Sequence, residues 1–358
     1  MMSNAEQNNI KKNIQNDYDI QMTQKYKNRI QNGELVISGF NSCKIFSSLT
    51  FIENFNVKIL KVFGESLINF KLRSTTITEF SICEPQYNLK VDDMDLENLE
   101  VLRLKNNKLV NNNLLNLSKF KKLYNLNISN SNVDLTHIHI ITSLTSLSMQ
   151  ECGLKYIDQI KQLINLQILD ISHNSFQNID SIKYLKKLKE LNISFSYSLI
   201  NITPLQYLTY ITKLEIEQSK IISICALRSL TNLESLNLAN NKIVHVDTAL
   251  NSMTKLQYLK LNGNQVSDLT ALQKHPNLSK LVMFNQMLAY PFKSDIFRAN
   301  KLRNIERPIL QLNDLIKQRQ IKSQFKNKVN ALVERIKLNQ IHFTSQVVLL
   351  FQQLNSLE

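Results

Sequence analysis

The sequence predicts an α/β solenoid. Short parallel strands stack along one side and 3-10 or helical returns along the other, with a helical cap at the N-terminal end and a helical extension at the C-terminal end. Three observations predict it. A pattern of the form L-x-x-L-x-L-x-x-N-x-L occurs nine times, its starts advancing by 24, 21, 22, 22, 23, 22, 23 and 22 residues. Within each copy the apolar period changes from two to three. The composition suits one long core, since 43% of the 358 residues are hydrophobic, 20% are charged, and only 5 are Gly and 5 Pro.

From the N-terminus, residues 1–34 are polar, and "DYDIQMTQKYKNRIQN" over 17–32 reads as an amphipathic capping helix stopped by Gly33. Leu35 and Ile37 form a first strand. Leu60 with Val62, and Phe80 with Ile82, mark two worn copies. The nine clear copies begin at Leu99, Leu123, Leu144, Leu166, Leu188, Ile211, Leu233, Leu256 and Leu278. The L-x-L segment of each suits a strand, because alternate side chains share a face. The returns carry an apolar residue at every third position, as in Leu154, Ile157, Ile160 and Leu163, or Ile221, Ile224, Leu227 and Leu230. That spacing suits a tight helical turn with one face inward. One copy buries too little to offset the ordering of its own backbone, so copies persist only when stacked.

The repeats therefore span 35–288, and residues 289–358 are a separate C-terminal region. Its last part, from Leu315, lacks Gly and Pro. Phe325, Val329, Leu332 and Ile336, then Phe343, Val347, Leu350, Leu354 and Leu357, form an apolar stripe broken around Asn339. The stripe fits a coiled-coil or dimer contact, or a helix folded back on the last copies.

Net charge is +14, and residues 289–358 carry twelve Lys/Arg against five Asp/Glu. A basic tail raises an alternative role in ribonucleoprotein or nucleic-acid association. The N-terminus lacks the apolar core of a signal peptide, and "VVLLF" is far too short to span a bilayer, so an intracellular protein of the cytoplasm or nucleus is expected. Cysteines 43, 83, 152 and 225 are widely spaced and read as reduced thiols. No motif calls for a cofactor. His137 and His139 in "THIHI" have no nearby Cys, Asp or Glu to complete a metal site. Cys152, His173 and Asp170 supply the residue types of a nucleophilic site, and the repeat gives each of them another place.

The repeated pattern resembles the leucine-rich repeat family, in particular the 22-residue branch typified by regulatory subunits of protein phosphatase 1. It is also similar to multi-copy leucine-rich repeat proteins of unicellular eukaryotes. Phe297-Arg298, Pro308, Leu312 and Asp314 resemble that family's C-terminal cap. The resemblance implies a curved solenoid with the parallel sheet on the concave side. It also implies that the ninth position of each copy points inward and bonds backbone groups. Those positions hold Asn107, Ser131, Cys152, Asn174, Ser196, Ser219, Asn241 and Asn264, so Cys152 is a ladder residue and no nucleophile.

Strand positions three, five, seven and eight then face outward in rows. Arg103 and Lys105 make a basic start. Asn127, Glu151, Asp170, His173, Glu190, Asn192, Glu215, Glu217 and Asn237 make a largely acidic middle, and Phe195, Tyr258, Lys260 and Phe284 add aromatic and basic groups. Exposed aromatics beside charges suit a protein interface. An acidic middle repels phosphates, so nucleic acid is not expected on this face. The expected function is a non-catalytic protein-binding scaffold or regulatory subunit. The resemblance makes a phosphatase-like enzyme one partner class.

Overall fold

The computed structural model describes residues 24, 26, 27, 29–37, 52, 55–63, 72–83, 94–105, 113–246, 248–266, 277–283, 305 and 306. Asn107, Phe284, most of the helix expected over 17–32, Phe297-Arg298 with Pro308, and the 325–357 stripe lie outside these residues.

Strands β1 (Glu34–Ile37), β2 (Ile59–Phe63), β4 (Glu79–Cys83), β6 (Val101–Lys105), β7 (Asn125–Asn127), β8 (Ser146–Ser148), β9 (Ile168–Asp170), β10 (Glu190–Asn192), β11 (Lys213–Glu215), β12 (Ser235–Asn237), β13 (Tyr258–Lys260) and β14 (Lys280–Val282) form one parallel sheet. The worn copies join in register: Leu35 pairs with Leu60, Leu60 with Phe80, and Phe80 with Leu102. Register follows from burial. The central Leu of each later strand points inward, as Leu147, Leu169, Leu191, Leu214, Leu236 and Leu259 do, so a one-residue slip would expose the whole row.

The returns from residue 135 to 229 are 3-10 turns: Leu135–Ile140, Asp158–Gln162, Asp180–Tyr184, Thr203–Tyr207 and Cys225–Ser229. With three residues per turn, an apolar residue at every third position stays on one side, and Ile157, Ile160 and Leu163 are all buried. The return before β13 is instead a short α-helix, Thr248–Ser252.

The helical-return expectation fails in the worn copies. There β3 (Leu72–Ser74) and β5 (Met94–Leu96) pair in parallel as a second sheet. Leu72, Ser74, Met94 and Leu96 are buried while Arg73 and Asp95 are exposed, a period of two. The Arg73 Nε to Asp95 Oδ2 pair at 3.2 Å bridges the two strands. At the far end, β15 (Ile305–Glu306) pairs antiparallel with β14. A strand thus pairs with the last strand of the parallel sheet, ahead of the segment from Leu315 that the sequence predicts as helical.

Candidate functional site: the outward strand face

Parallel pairing sets the fifth-position residues side by side. Arg103, Asn127, Ser148, Asp170, Asn192, Glu215, Asn237 and Lys260 form one row. The row ends at Val282, which is buried. Next to it runs the third-position row, with Ile168, Glu190 and Lys213 exposed and Tyr258 half-buried.

Many of these side chains already have work within the fold. Asn127, Asp170, Asn192 and Asn237 each accept the N–H two residues on, at 3.0–3.1 Å. These side chains hold the turn that leaves each strand. Asp170 also takes bonds from Ser172 Oγ at 2.7 Å and from Gln150 Nε2. Glu217 accepts from Lys260 Nζ at 2.8 Å, Asn237 Nδ2 at 2.9 Å and Asn240 Nδ2 at 3.2 Å. Burial works to raise the Glu217 carboxyl, but Lys260 and the two amides outweigh it and hold the pKa below the usual value. Lys213 Nζ lies 2.8 Å from Glu215, and that bond raises the lysine's pKa. Arg103 pairs with Glu79, a residue that sequence reasoning did not single out. Lys105 is exposed at the end of β6. Lys280 lies 5.3 Å above the Tyr258 ring. The acidic middle is therefore a paired network, with Glu190 and Glu151 its exposed members. A shallow depression of about 90 Å³ lies between Ile168, Asp170, Glu190, Asn192, Lys213 and Glu215. A larger hollow of about 500 Å³, at turn residues 155–158, 175, 177, 178 and 198, holds none of the sequence-predicted site residues.

The eighth position has a property the sequence did not disclose. Asn130, Glu151, His173, Phe195, Gln218, Asn240 and Gly263 all have φ between 52° and 68°. Only Asn and Gly adopt this left-handed conformation readily; other residues lose roughly 1–2 kcal/mol. At Gly263 an added Cβ would also meet Asn240 Oδ1, so that side chain would have to move aside. The mixture of Asn and Gly in that column was the available signal. Glu151, His173, Phe195 and Gln218 occupy it against that preference. The His173 and Phe195 rings stack, with centroids 4.0 Å apart and planes at 11°. Glu151 Oε1 lies 3.9 Å from His173 Nδ1.

The ninth-position side chains are buried from Ser131 to Asn264. Asn174 Nδ2 donates to the carbonyls of Met149, Ile171 and Ser172, and its Oδ1 accepts from the Cys152 and Leu154 N–H groups. Asn241 and Asn264 repeat the pattern on Ile216 and Leu238. The Cys152 thiol reaches the matching carbonyls, Ile128 at 3.2 Å and Gln150 at 3.4 Å. Ser131 reaches Leu104 and Ser129, both at 3.3 Å. Ser196 and Ser219 differ: their buried hydroxyls find no hydrogen-bond partner. Ser131 makes both contacts with the same hydroxyl, so the residue type alone does not account for the difference.

Burial pushes the Cys152 thiol up to about 11, so it is protonated at neutral pH. Its hydrogen bonds go to backbone, those of Asp170 to Ser172 and its neighbours, and His173 sits on Phe195. No relay joins the three. Among the described residues no group of three or more His, Cys, Asp or Glu is placed to hold a metal, and no helix is long and apolar enough to cross a membrane.

A second ladder went unread. In the residue just before four of the nine copies, Asn98, Asn165, Asn232 and Asn277 donate to the carbonyls of Thr75, Thr142, Thr209 and Thr254. Asn98, Asn165 and Asn232 in turn accept from Lys122, Lys187 and Lys255 of the following copy, at 2.6–2.8 Å. Asn98, Asn165 and Asn232 stand 67 residues apart, three copies each time.

The fold is that of a curved leucine-rich-repeat solenoid. Residues 209–266 match the family model described as leucine rich repeat. Among solved structures, an internalin of Listeria monocytogenes is 25% identical, with 66% of this chain and 70% of that one covered and a TM-score of 0.56. A leucine-rich repeat protein of Leptospira interrogans is 21% identical over 72% of this chain and 75% of that one, with a TM-score of 0.51. The functional domain of InlJ from Listeria monocytogenes, which includes a cysteine ladder, is 20% identical, with 70% and 58% covered and a TM-score of 0.53. The last two likenesses are of fold alone. No curated protein matches the sequence significantly.

Proposed function

We propose that this chain is an intracellular, non-catalytic scaffold that grips a protein partner on its outward strand face. The observation that supports this reading is the parallel register. It fixes side chains from eight consecutive strands, Arg103 to Lys260, in one row. Their cross-strand bonds hold them in place before any partner arrives, so little ordering remains to be done on association. The resemblance to phosphatase regulatory subunits makes a phosphatase-like enzyme one partner class. The buried, protonated Cys152 argues against a nucleophilic role for that thiol.

The test is affinity purification with the wild-type chain beside a variant carrying Asp170→Ala, Glu215→Ala and Tyr258→Ala. Specific proteins are expected to be recovered by wild type and lost by the variant. Recovery of the same proteins by both would sink the reading.

A further inference from the structure

We propose that the rim of this face around His173 and Phe195 docks an arginine-bearing segment of the protein partner. The proposal rests on the function proposed above and narrows it to a place and a chemistry. The eighth-position column shows what the backbone alone prefers there, in Asn130, Asn240 and Gly263. A bulky aromatic at φ 59° is disfavoured by the backbone, so Phe195 is not explained by the turn it sits in. One face of its ring is covered by His173. The column neighbour on the other side is Gln218, which has no ring.

Charge supplies the second argument. In the four copies that carry β8 to β11, the outward positions hold Glu151, Asp170, Glu190, Glu215 and Glu217 against Lys213 alone, on a chain of net charge +14. One exposed carboxylate stands beside the stack: Glu151 Oε1 lies 3.9 Å from His173 Nδ1, whereas the Glu217 carboxylate is held by Lys260, Asn237 and Asn240. An aromatic surface beside an exposed carboxylate suits a planar cation. A guanidinium stacks on a ring and forks onto a carboxylate at once, whereas an ammonium is a point charge that cannot do both as well.

The experiment titrates the full chain with a fluorescein-labelled peptide of alternating arginine and serine, and with matched lysine and citrulline peptides. The arginine peptide is expected to bind about threefold or more tighter than the lysine peptide, and the citrulline peptide not to bind. Phe195→Asn keeps a residue that tolerates the left-handed turn. It is expected to weaken the arginine peptide at least about threefold while leaving the thermal midpoint no lower than wild type's. Equal binding of arginine and lysine peptides overturns the proposal, and so does a Phe195→Asn chain that binds as wild type does. Either failure is separate from failure of the scaffold reading, which is judged on proteins captured by a variant altered elsewhere, at Asp170, Glu215 and Tyr258.

Discussion

A single ladder rung shows how much one side-chain atom decides. At the ninth position an Asn amide answers both a carbonyl of the preceding copy and two of its own, as Asn174 does for Met149, Ile171 and Ser172. Buried backbone groups without partners cost about 1–3 kcal/mol each. Ser196 and Ser219 are the weak rungs, since their hydroxyls bond nothing. Ser196→Asn and Ser219→Asn are therefore each expected to stabilise the chain by about 1 kcal/mol in urea unfolding. A neutral or destabilising result for both would mean that the turns there do not admit the longer side chain. Cys152 belongs to the same series, its thiol making two of the carbonyl contacts that Asn makes elsewhere.

At the scale of the strand, position five serves two ends. Its Asn and Asp side chains stabilise the turn two residues on, and they also face outward. Position seven carries the cross-strand network, of which Glu217 with Lys260 is the centre. Glu217 has a folded-state pKa below its ordinary value, so its contribution is present above the unfolded carboxyl's pKa, about 4.3. It is lost as pH falls through the folded value. Lys260→Met removes the counter-charge and leaves burial to raise the carboxyl. The expected loss at pH 7 is about 0.5–1 kcal/mol, reduced by solvent at this partly exposed site, and it should shrink below about pH 4. Urea unfolding at both pH values checks this, and an equal loss at each would contradict it.

Seen whole, the molecule is a one-dimensional stack in which each copy touches its neighbours. Removing one entire copy, residues 166–187, puts Leu188 where Leu166 was and lets β8 pair with β10 in the same register. That deletion is expected to keep the sheet and return signature by circular dichroism, with lower stability. Deleting 166–176 removes a strand and keeps its return, and is expected to abolish cooperative unfolding. If both deletions behave alike, the copies are not the structural units described here. The ends are handled differently from the middle: β3 with β5 replaces helical returns in the early copies, and β15 covers the last strand.

The sequence by itself determined the strands of the long parallel sheet and their register, and the resemblance supplied the inward ladder. Those features repeat, and burial of a period-two Leu row admits one register alone. Even the worn copies were readable at Leu60 and Phe80, because their apolar pairs keep the period. Only the tertiary structure decided the rest. The left-handed turn at Glu151, His173 and Phe195 is imposed by the stack against each residue's own preference. The Asn–Lys ladder joins residues 22 to 24 apart, and the bonds of Glu217 reach 20 to 43 residues along the chain. Partners that distant are chosen by neighbouring copies, so the row that reads as free acidic charge in the sequence is, in the fold, largely paired.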